Sequence, residues 1–118
     1  MKFVKYDEKE WLEREGYSKR ILIREDELKS RGNLVQIVKS DPHTEIKPHY
    51  HKETTEIYHI LEGNAILFIG DERIRAKERD TFLCEAGEVH GVINDTEEEF
   101  LILVFKINAK EDNSYWLR

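Results

Sequence analysis

The close spacing of short strand-like runs most constrains how this chain can fold. Between residues 34 and 107, apolar or alternating runs follow one another with turn signals between them and no room for a long helix. The runs are LVQIVK, TEIKPHYH, TEIYHILEG, NAILFIG, ERIRA, TFLCEAG, VHGVIN and EEFLILVFKI. Gly63-Asn64 and Gly70-Asp71 are turn dipeptides typical of hairpins. Without helical crossovers the strands must pair antiparallel, so we predict an all-β jelly roll, a barrel of two packed antiparallel sheets.

The first 33 residues have a different texture. Asp7 is placed to cap a short helix through Trp11 and Leu12, with Gly16 at its end. Residues 17–24 have the β-branched and aromatic content of a strand, and a charged turn follows them. A chain of 118 residues is one domain in size. Within it we expect a helical or irregular N-terminal arm at 1–33 packing on the barrel, the barrel at 34–107 and a tail at 108–118.

The C-terminal end of the chain is unusually apolar. Residues 100–107 are apolar on both faces, whereas a half-solvated antiparallel strand should alternate. Tyr115, Trp116 and Leu117 follow in a tail that would be polar if it were solvated. Two explanations fit: the tail packs back on its own subunit, or it is buried in a homodimer, the commonest oligomer. We expect the homodimer.

Charge and cysteine content exclude several classes of protein. Lys and Arg total 19 against 25 Asp and Glu, a net charge of −6, which is the wrong sign for binding nucleic acid or an anionic membrane. Cys84 is the single cysteine, so the chain has no internal disulfide and no cysteine cage for zinc. No apolar run approaches the length of a membrane span or a secretion signal. We therefore expect a cytoplasmic protein.

The residues best suited to chemistry are three histidines and a glutamate. His49 and His51 are two apart on a predicted strand, so both imidazoles point to one face. Glu56 lies beyond a short turn that returns the chain beside that strand, and His90 begins a later strand. Three neutral imidazoles with one carboxylate suit one divalent transition metal, Mn, Fe, Ni, Cu or Zn, better than Ca or Mg.

The spacing of these residues resembles the cupin superfamily. His49-x-His51, then Glu56 and Gly63 at fixed offsets, is similar to the first cupin motif, and Gly87-x-x-His90 begins a match to the second. The resemblance covers residues 34–107. It implies a β-barrel of two sheets with the metal inside, bound by His49, His51, Glu56 and His90. His43, Arg79 and Glu85 depart from the pattern, since the family has Gly, Gly and Pro at those positions.

Other polar residues have weaker patterns. Tyr58 shares a face with Glu56, so it could line the pocket, orient a substrate or donate a proton, the alternative being a core aromatic. Gln36 is a polar residue on a buried strand. Asn94 is on the same face as His90 and is a candidate to support it. For His59 we expect the surface, and for Cys84 a buried small side chain.

The resemblance also implies a range of activities. Proteins with this motif set include dioxygenases, oxalate-type decarboxylases and oxidases, and sugar or sugar-phosphate isomerases. We therefore expect an enzyme that acts on a small polyoxygenated molecule, with the metal as Lewis acid or O₂ site and with Glu56 and Tyr58 as catalytic residues. The alternative is a barrel that binds a small molecule without turnover, as a sensor.

Overall fold

Two antiparallel β-sheets form the protein. The computed structural model describes residues 1–110 and 114–117. One sheet has six strands, in the order β1 (Leu12–Arg14), β2 (Tyr17–Ile23), β3 (Leu34–Ser40), β10 (Phe100–Ile107), β5 (Thr55–Glu62) and β8 (Thr81–Cys84). The other has five, in the order β11 (Ser114–Trp116), β4 (Thr44–His51), β9 (His90–Asn94), β6 (Ala65–Ile69) and β7 (Glu72–Ala76). The predicted all-β jelly roll is confirmed, and its eight predicted strands correspond to β3 through β10.

The core lies between the two sheets. Inward residues alternate with outward ones along β5, where burial repeats every second residue, as a strand's period of two requires. Ile60 from β5, Phe100 and Val104 from β10 and Leu67 from β6 are at most 2% exposed and pack in one apolar cluster. Leu67 and Val104 also line a cavity between the sheets, so the apolar cluster forms part of the wall of that cavity.

The N-terminal segment is folded differently from our prediction. The short helix expected between Asp7 and Gly16 is wrong: Leu12–Arg14 is a strand that pairs with β2. Gly16, with a φ of 83°, makes the tight turn between them, so it joins two strands instead of ending a helix. The chain's one described helix, α1 (Glu25–Leu28), lies in the charged segment that we expected to be a turn. No helix among the described residues is long and apolar enough to cross a membrane.

The N-terminal segment covers only part of the outer face of the six-stranded sheet. Trp11 packs against Arg20 and Lys39, whose cationic groups lie 4.2 and 4.6 Å from its ring centroid. Arg20 also donates a 2.7 Å hydrogen bond to the carbonyl of Tyr6. The N-terminal segment thus covers part of this face. Beside it, four apolar side chains remain on the outside, in register across four strands: Val35, Phe105, Ile57 and Leu83.

The C-terminal tail returns to its own barrel. β11 pairs antiparallel with β4, with Tyr115 opposite Tyr50 and Trp116 opposite His49. We considered two explanations for the apolar tail, packing on its own subunit and burial in a homodimer. For residues 114–117 the structure shows the first. Residues 111–113 and 118, which belong to the same predicted tail, lie outside the described residues.

Two residues that replace the glycines of the cupin pattern adopt glycine-like backbone conformations. His43 has a φ of 56° and Arg79 a φ of 76°, in the left-handed region that side chains disfavour. The backbone therefore keeps the turn geometry of the pattern even though the glycines are absent, at the expense of strain.

We expect Arg79→Gly to stabilise the protein. The left-handed conformation costs a non-glycine residue about 1–2 kcal/mol, and part of this gain is offset by the greater freedom of glycine in the unfolded chain. The free energy of unfolding should rise by about 0.5–1 kcal/mol, with an increase in Tm of a few degrees. Thermal unfolding followed by circular dichroism measures this. The control is Lys77→Gly, two residues earlier and without a positive φ, which should lower Tm.

Candidate metal centre

Two neighbouring strands carry the three histidines into the barrel. β4 contributes His49 and His51, and β9 contributes His90, which is the register partner of His49. All three are at least nine-tenths buried, and one ring nitrogen from each lies within 4.8 Å of those of the other two. Ring centroids are 4.2 Å apart for His49 and His90 and 5.2 Å apart for His51 and His90. The structure thus brings together all three histidines that the spacing indicated.

Glu56 reaches this cluster from the opposite sheet. Its Oε1 lies 2.9 Å from Nε2 of His51 and 3.3 Å from Nε2 of His90, and the residue is 5% exposed. β5 turns this side chain inward for the same reason that it turns Ile60 inward, since the two positions share a face. The four side chains therefore meet between the sheets.

Backbone carbonyls orient two of the imidazoles. Nδ1 of His49 lies 2.8 Å from the carbonyl oxygen of Lys47, and Nδ1 of His90 lies 3.0 Å from that of Glu88. Because a carbonyl can only accept, Nδ1 carries a proton in both rings. In the uncharged form of each ring the lone pair is then on Nε2, which faces the cluster. This outer contact is the one that metal-binding histidines make in proteins.

The C-terminal strand completes the site. Ser114 Oγ lies 2.9 Å from Nδ1 of His51, and the indole of Trp116 stacks on the ring of His49 with centroids 4.3 Å apart. Sequence reasoning missed both contacts as parts of the site. The aromatic tail was the available signal, but the strand it pairs with is set by tertiary structure more than 60 residues away along the chain.

The donor set fits a divalent transition metal. Nε2 of His90 is fully buried and makes no hydrogen bond of acceptable geometry among the described residues. Buried polar atoms are rarely left without a partner, so an orphaned nitrogen that faces two further imidazoles and a carboxylate indicates a missing ligand. His49, His51 and His90 are the residues that would hold the ion by nitrogen, and Glu56 the one that would hold it by oxygen.

Burial and neighbouring groups set the charges in the cluster. Burial, and then the nearby His90, lower the pKa of His49 to about 4, so this ligand is neutral at neutral pH. Burial opposes ionisation of Glu56, but His51 and His90 outweigh it and hold its pKa well below the usual range. Burial likewise opposes protonation of His90, yet the Cys84 sulfur and the Glu56 carboxylate raise its pKa to about 10. Metal uptake must therefore displace a proton, and metal affinity should rise with pH.

Tyr58 lies directly beside the carboxylate. Its hydroxyl donates a 3.0 Å hydrogen bond to Oε1 of Glu56, and both side chains line the same cavity. Burial and the adjacent negative charge raise the pKa of Tyr58 well above its ordinary value. It therefore stays a neutral phenol and fixes the orientation of Glu56.

The remaining candidates lie around the cluster or away from it. Cys84 is buried, with Sγ 3.3 Å from Nδ1 of His90, on the side of the ring turned away from the other imidazoles. The expected support of His90 by Asn94 is wrong, because the Asn94 amide donates to the carbonyls of Ser40, Asp41 and Glu98 and holds a loop. His59 is half-buried on the outer face, where its ring contacts Thr81. His43 pairs with Glu97 at the surface.

A cavity of about 300 Å³ opens onto the histidine cluster. The ligands and Tyr58 form one part of its lining, together with Trp116 from the tail. The part that belongs to the six-stranded sheet combines apolar side chains of β3 and β10 with the polar Gln36, Lys19 and Lys106. A cavity of this size is at the small end of ligand sites, so it fits a small molecule that reaches the cluster directly.

The fold and the cluster together define a β-barrel protein with an internal group of three histidines that could hold a metal ion. Comparison with protein families agrees with this class: the Cupin_2 model, described as a cupin domain, matches residues 36–106, more than half of the chain. The protein belongs to the cupin family, as the spacing of its motifs indicated.

Solved structures with similar folds include enzymes of different kinds. A predicted oxalate decarboxylase from Thermotoga maritima is 19% identical, with a TM-score of 0.83, covering 90% of this chain and 98% of that one. The polyketide cyclase RemF from Streptomyces resistomycificus is 18% identical, with a TM-score of 0.85, covering 100% and 86%. KdgF from Halomonas sp. is 21% identical, with a TM-score of 0.78, covering 94% and 98%. At such identities the likeness shows the fold alone.

We expect Ser114→Ala to weaken metal binding. The hydroxyl is the contact that holds the outer nitrogen of His51, and loss of such a partner typically lowers metal affinity by about 10–100-fold. Titration with Zn²⁺ against a competing chelator measures the change. Ser114→Thr keeps the hydroxyl and should restore most of the affinity. Unchanged affinity in the alanine variant would show that His51 is oriented without Ser114.

Proposed function

We propose that this cupin is a metal-dependent enzyme that acts on a small polyoxygenated molecule, by isomerisation or by oxidative cleavage. One observation carries the proposal. His51 and His90 turn their Nε2 atoms toward the buried Glu56 carboxylate, and His49 joins them in one cluster on the wall of a cavity large enough for a small molecule. Three nitrogens and one carboxylate oxygen would hold the ion, and oxygens of a substrate in the cavity would complete its set of ligands.

A metal ion held by His49, His51, His90 and Glu56 would supply Lewis acidity toward a carbonyl or enediol or, if it were iron, copper or manganese, chemistry with O₂. Glu56 is the carboxylate positioned to accept a proton, because it lines the cavity. Tyr58 keeps Oε1 of Glu56 in place and is the neighbouring proton donor. Because both side chains are buried, bulk water does not compete for the transferred proton.

Proteins of similar fold indicate the kinds of small molecule that the proposal covers. Proteins of similar fold include a predicted oxalate decarboxylase, a polyketide cyclase and a Streptomyces protein, PAC13, in complex with uridine. Oxalate, polyketides and uridine are all oxygen-rich small molecules. They support small-molecule chemistry at the cluster without selecting one reaction, since one fold hosts many activities.

Elemental mass spectrometry tests the proposal first, on tag-free protein purified without chelator or added metal. We expect about one equivalent of Mn, Fe, Ni, Cu or Zn per chain. The loaded protein and the Glu56→Gln variant reloaded with the same metal are then compared on sugar phosphates, diketones and phenols. Turnover that needs both the metal and Glu56 supports an enzyme. A thermal shift with a ligand but no turnover in either protein would favour the sensor, and absence of metal after reconstitution would refute the site.

We also propose a homodimer that covers the outer apolar row of Val35, Phe105, Ile57 and Leu83. Leu83 is 56% exposed and Phe105 38%, and exposed contiguous apolar surface of this kind marks an interface. The double variant Phe105→Glu/Leu83→Glu should be monomeric in size-exclusion chromatography with light scattering, while the wild type is a dimer. Ile74→Glu, at an exposed apolar residue of the other sheet, is the control. A monomeric wild type at micromolar concentration would contradict the dimer.

A further inference from the structure

We propose that the substrate of this site is an anion, with its carboxylate or phosphate group held by Arg14, Lys19 and Lys106, here termed the cationic wall. The proposal rests on the proposed function, because the remaining oxygens of the same molecule would face the histidine cluster. Its basis is a second polar surface in the cavity, opposite His49, His51 and His90, that the metal site does not use.

The cationic wall belongs to one sheet, and the histidines belong to the other. Arg14 is on β1, Lys19 on β2 and Lys106 on β10, and all three line the cavity. Lys106 is the register partner of Glu56, so it stands next to the one carboxylate of the cluster. A ligand that spans the cavity therefore meets imidazoles at one end and cations at the other.

The charges of the cationic wall are not balanced by the protein. Within residues 1–110 and 114–117, none of its three side chains forms an ion pair. Glu56 is the nearby carboxylate, and it is already in contact with two histidines. The three side chains therefore carry more positive charge than the single carboxylate of Glu56 can neutralise. Burial, then repulsion from Lys106 and Arg14, lower the pKa of Lys19, which shows the crowding of positive charge.

This local charge is opposite to that of the whole chain. The protein carries a net charge of −6, and an exposed surface of that sign repels anions. Lys19 and Lys106 are nevertheless half-buried and directed into the cavity, where water screens them less than at the surface. A neutral ligand would leave these cations without partners, whereas an anion satisfies them. The charge distribution therefore selects an anionic ligand.

A buried amide beside the cationic wall points to the same ligand. Gln36 is 3% exposed and lines the cavity, so its side chain is next to the space that a ligand would occupy. A side-chain amide both donates and accepts hydrogen bonds, so it can bind the hydroxyl groups of such a ligand. A hydroxylated anion supplies both the charge and the hydroxyl groups that this surface can bind.

Isothermal titration calorimetry tests the proposal with three ligands that differ at the anionic group: D-gluconate, D-sorbitol 6-phosphate and neutral D-sorbitol. Each is titrated into metal-loaded and metal-free wild type, the double variant Lys19→Gln/Lys106→Gln and a control. The control is Lys52→Gln/Lys77→Gln, which removes the same charge from exposed positions outside the cavity. Metal content is measured separately for every sample.

We expect an anion to bind wild type at least about tenfold more tightly than sorbitol, as for a hydrogen bond to a charged group. Lys19→Gln/Lys106→Gln should lose at least that factor for the anions alone and keep its metal, and the control should match wild type. The tighter of the two anions identifies carboxylate or phosphate. Equal binding of sorbitol, unchanged anion binding by the Lys19→Gln/Lys106→Gln variant, or no anion binding at millimolar concentration would each overturn the proposal. Anion binding by a protein that takes up no metal would refute the metal-dependent enzyme and leave the anion site standing.

Discussion

Replacement of both His49 and His51 by alanine is expected to abolish metal binding while the barrel stays folded. The double variant keeps one imidazole and one carboxylate, too few donors for a transition metal at this cluster. Even loss of a group behind a ligand lowers affinity about 10–100-fold, so loss of two ligands should lower it by far more. Both rings lie on the cavity wall and outside the apolar cluster, so the core stays intact. Elemental mass spectrometry gives metal content, and circular dichroism gives the fold.

A control with the same number of histidines removed makes this result specific. His43→Ala/His59→Ala deletes two imidazoles that lie at the surface and on the outer face of a sheet. This variant should keep about one equivalent of metal per chain. A His49→Ala/His51→Ala protein that is folded and keeps full metal content would show that the ion binds elsewhere.

Part of the cluster could be predicted from sequence because its geometry is local. His49 and His51 share a face by the period of two along a strand. We expected the short turn before Glu56 to return the chain beside that strand, but it leads into the opposite sheet, and Glu56 faces the histidines from there. His90 joins the cluster through the pairing of β9 with β4, so its role was indicated by the resemblance of its motif and not by local geometry.

The rest of the cavity could not be predicted, because long-range pairing builds it. Ser114 and Trp116 reach the histidines only when the tail pairs with β4. Arg14 reaches the cavity only because its segment forms a strand of the six-stranded sheet, where a local capping signal indicated a helix. Tertiary pairing overrode that local propensity, as it often does for short segments. Sequence spacing thus indicates the metal ligands, while the groups that select the substrate depend on contacts between distant segments.

Two glycines of the cupin motifs occupy the same backbone conformation in different surroundings. Gly63 has a φ of 78° and Gly87 a φ of 87°, which both favour glycine. A Cβ at Gly63 would collide with the backbone carbonyl oxygen of Glu99, and would also lie 3.4 Å from Cα of Phe100. A Cβ at Gly87 would meet no atom within 4 Å. The pair therefore separates the effect of backbone strain from the effect of a collision.

Gly63→Ala is expected to destabilise the protein strongly, and Gly87→Ala only moderately. Strain alone should lower the free energy of unfolding by about 1–2 kcal/mol in Gly87→Ala. Gly63→Ala adds the displacement of the strand that begins at Phe100, which is fully buried, for a total of about 2–5 kcal/mol. Urea unfolding of the two variants and wild type measures both values. Equal destabilisation would mean that the Glu99 carbonyl moves away freely, and that the first motif requires glycine for its backbone conformation alone.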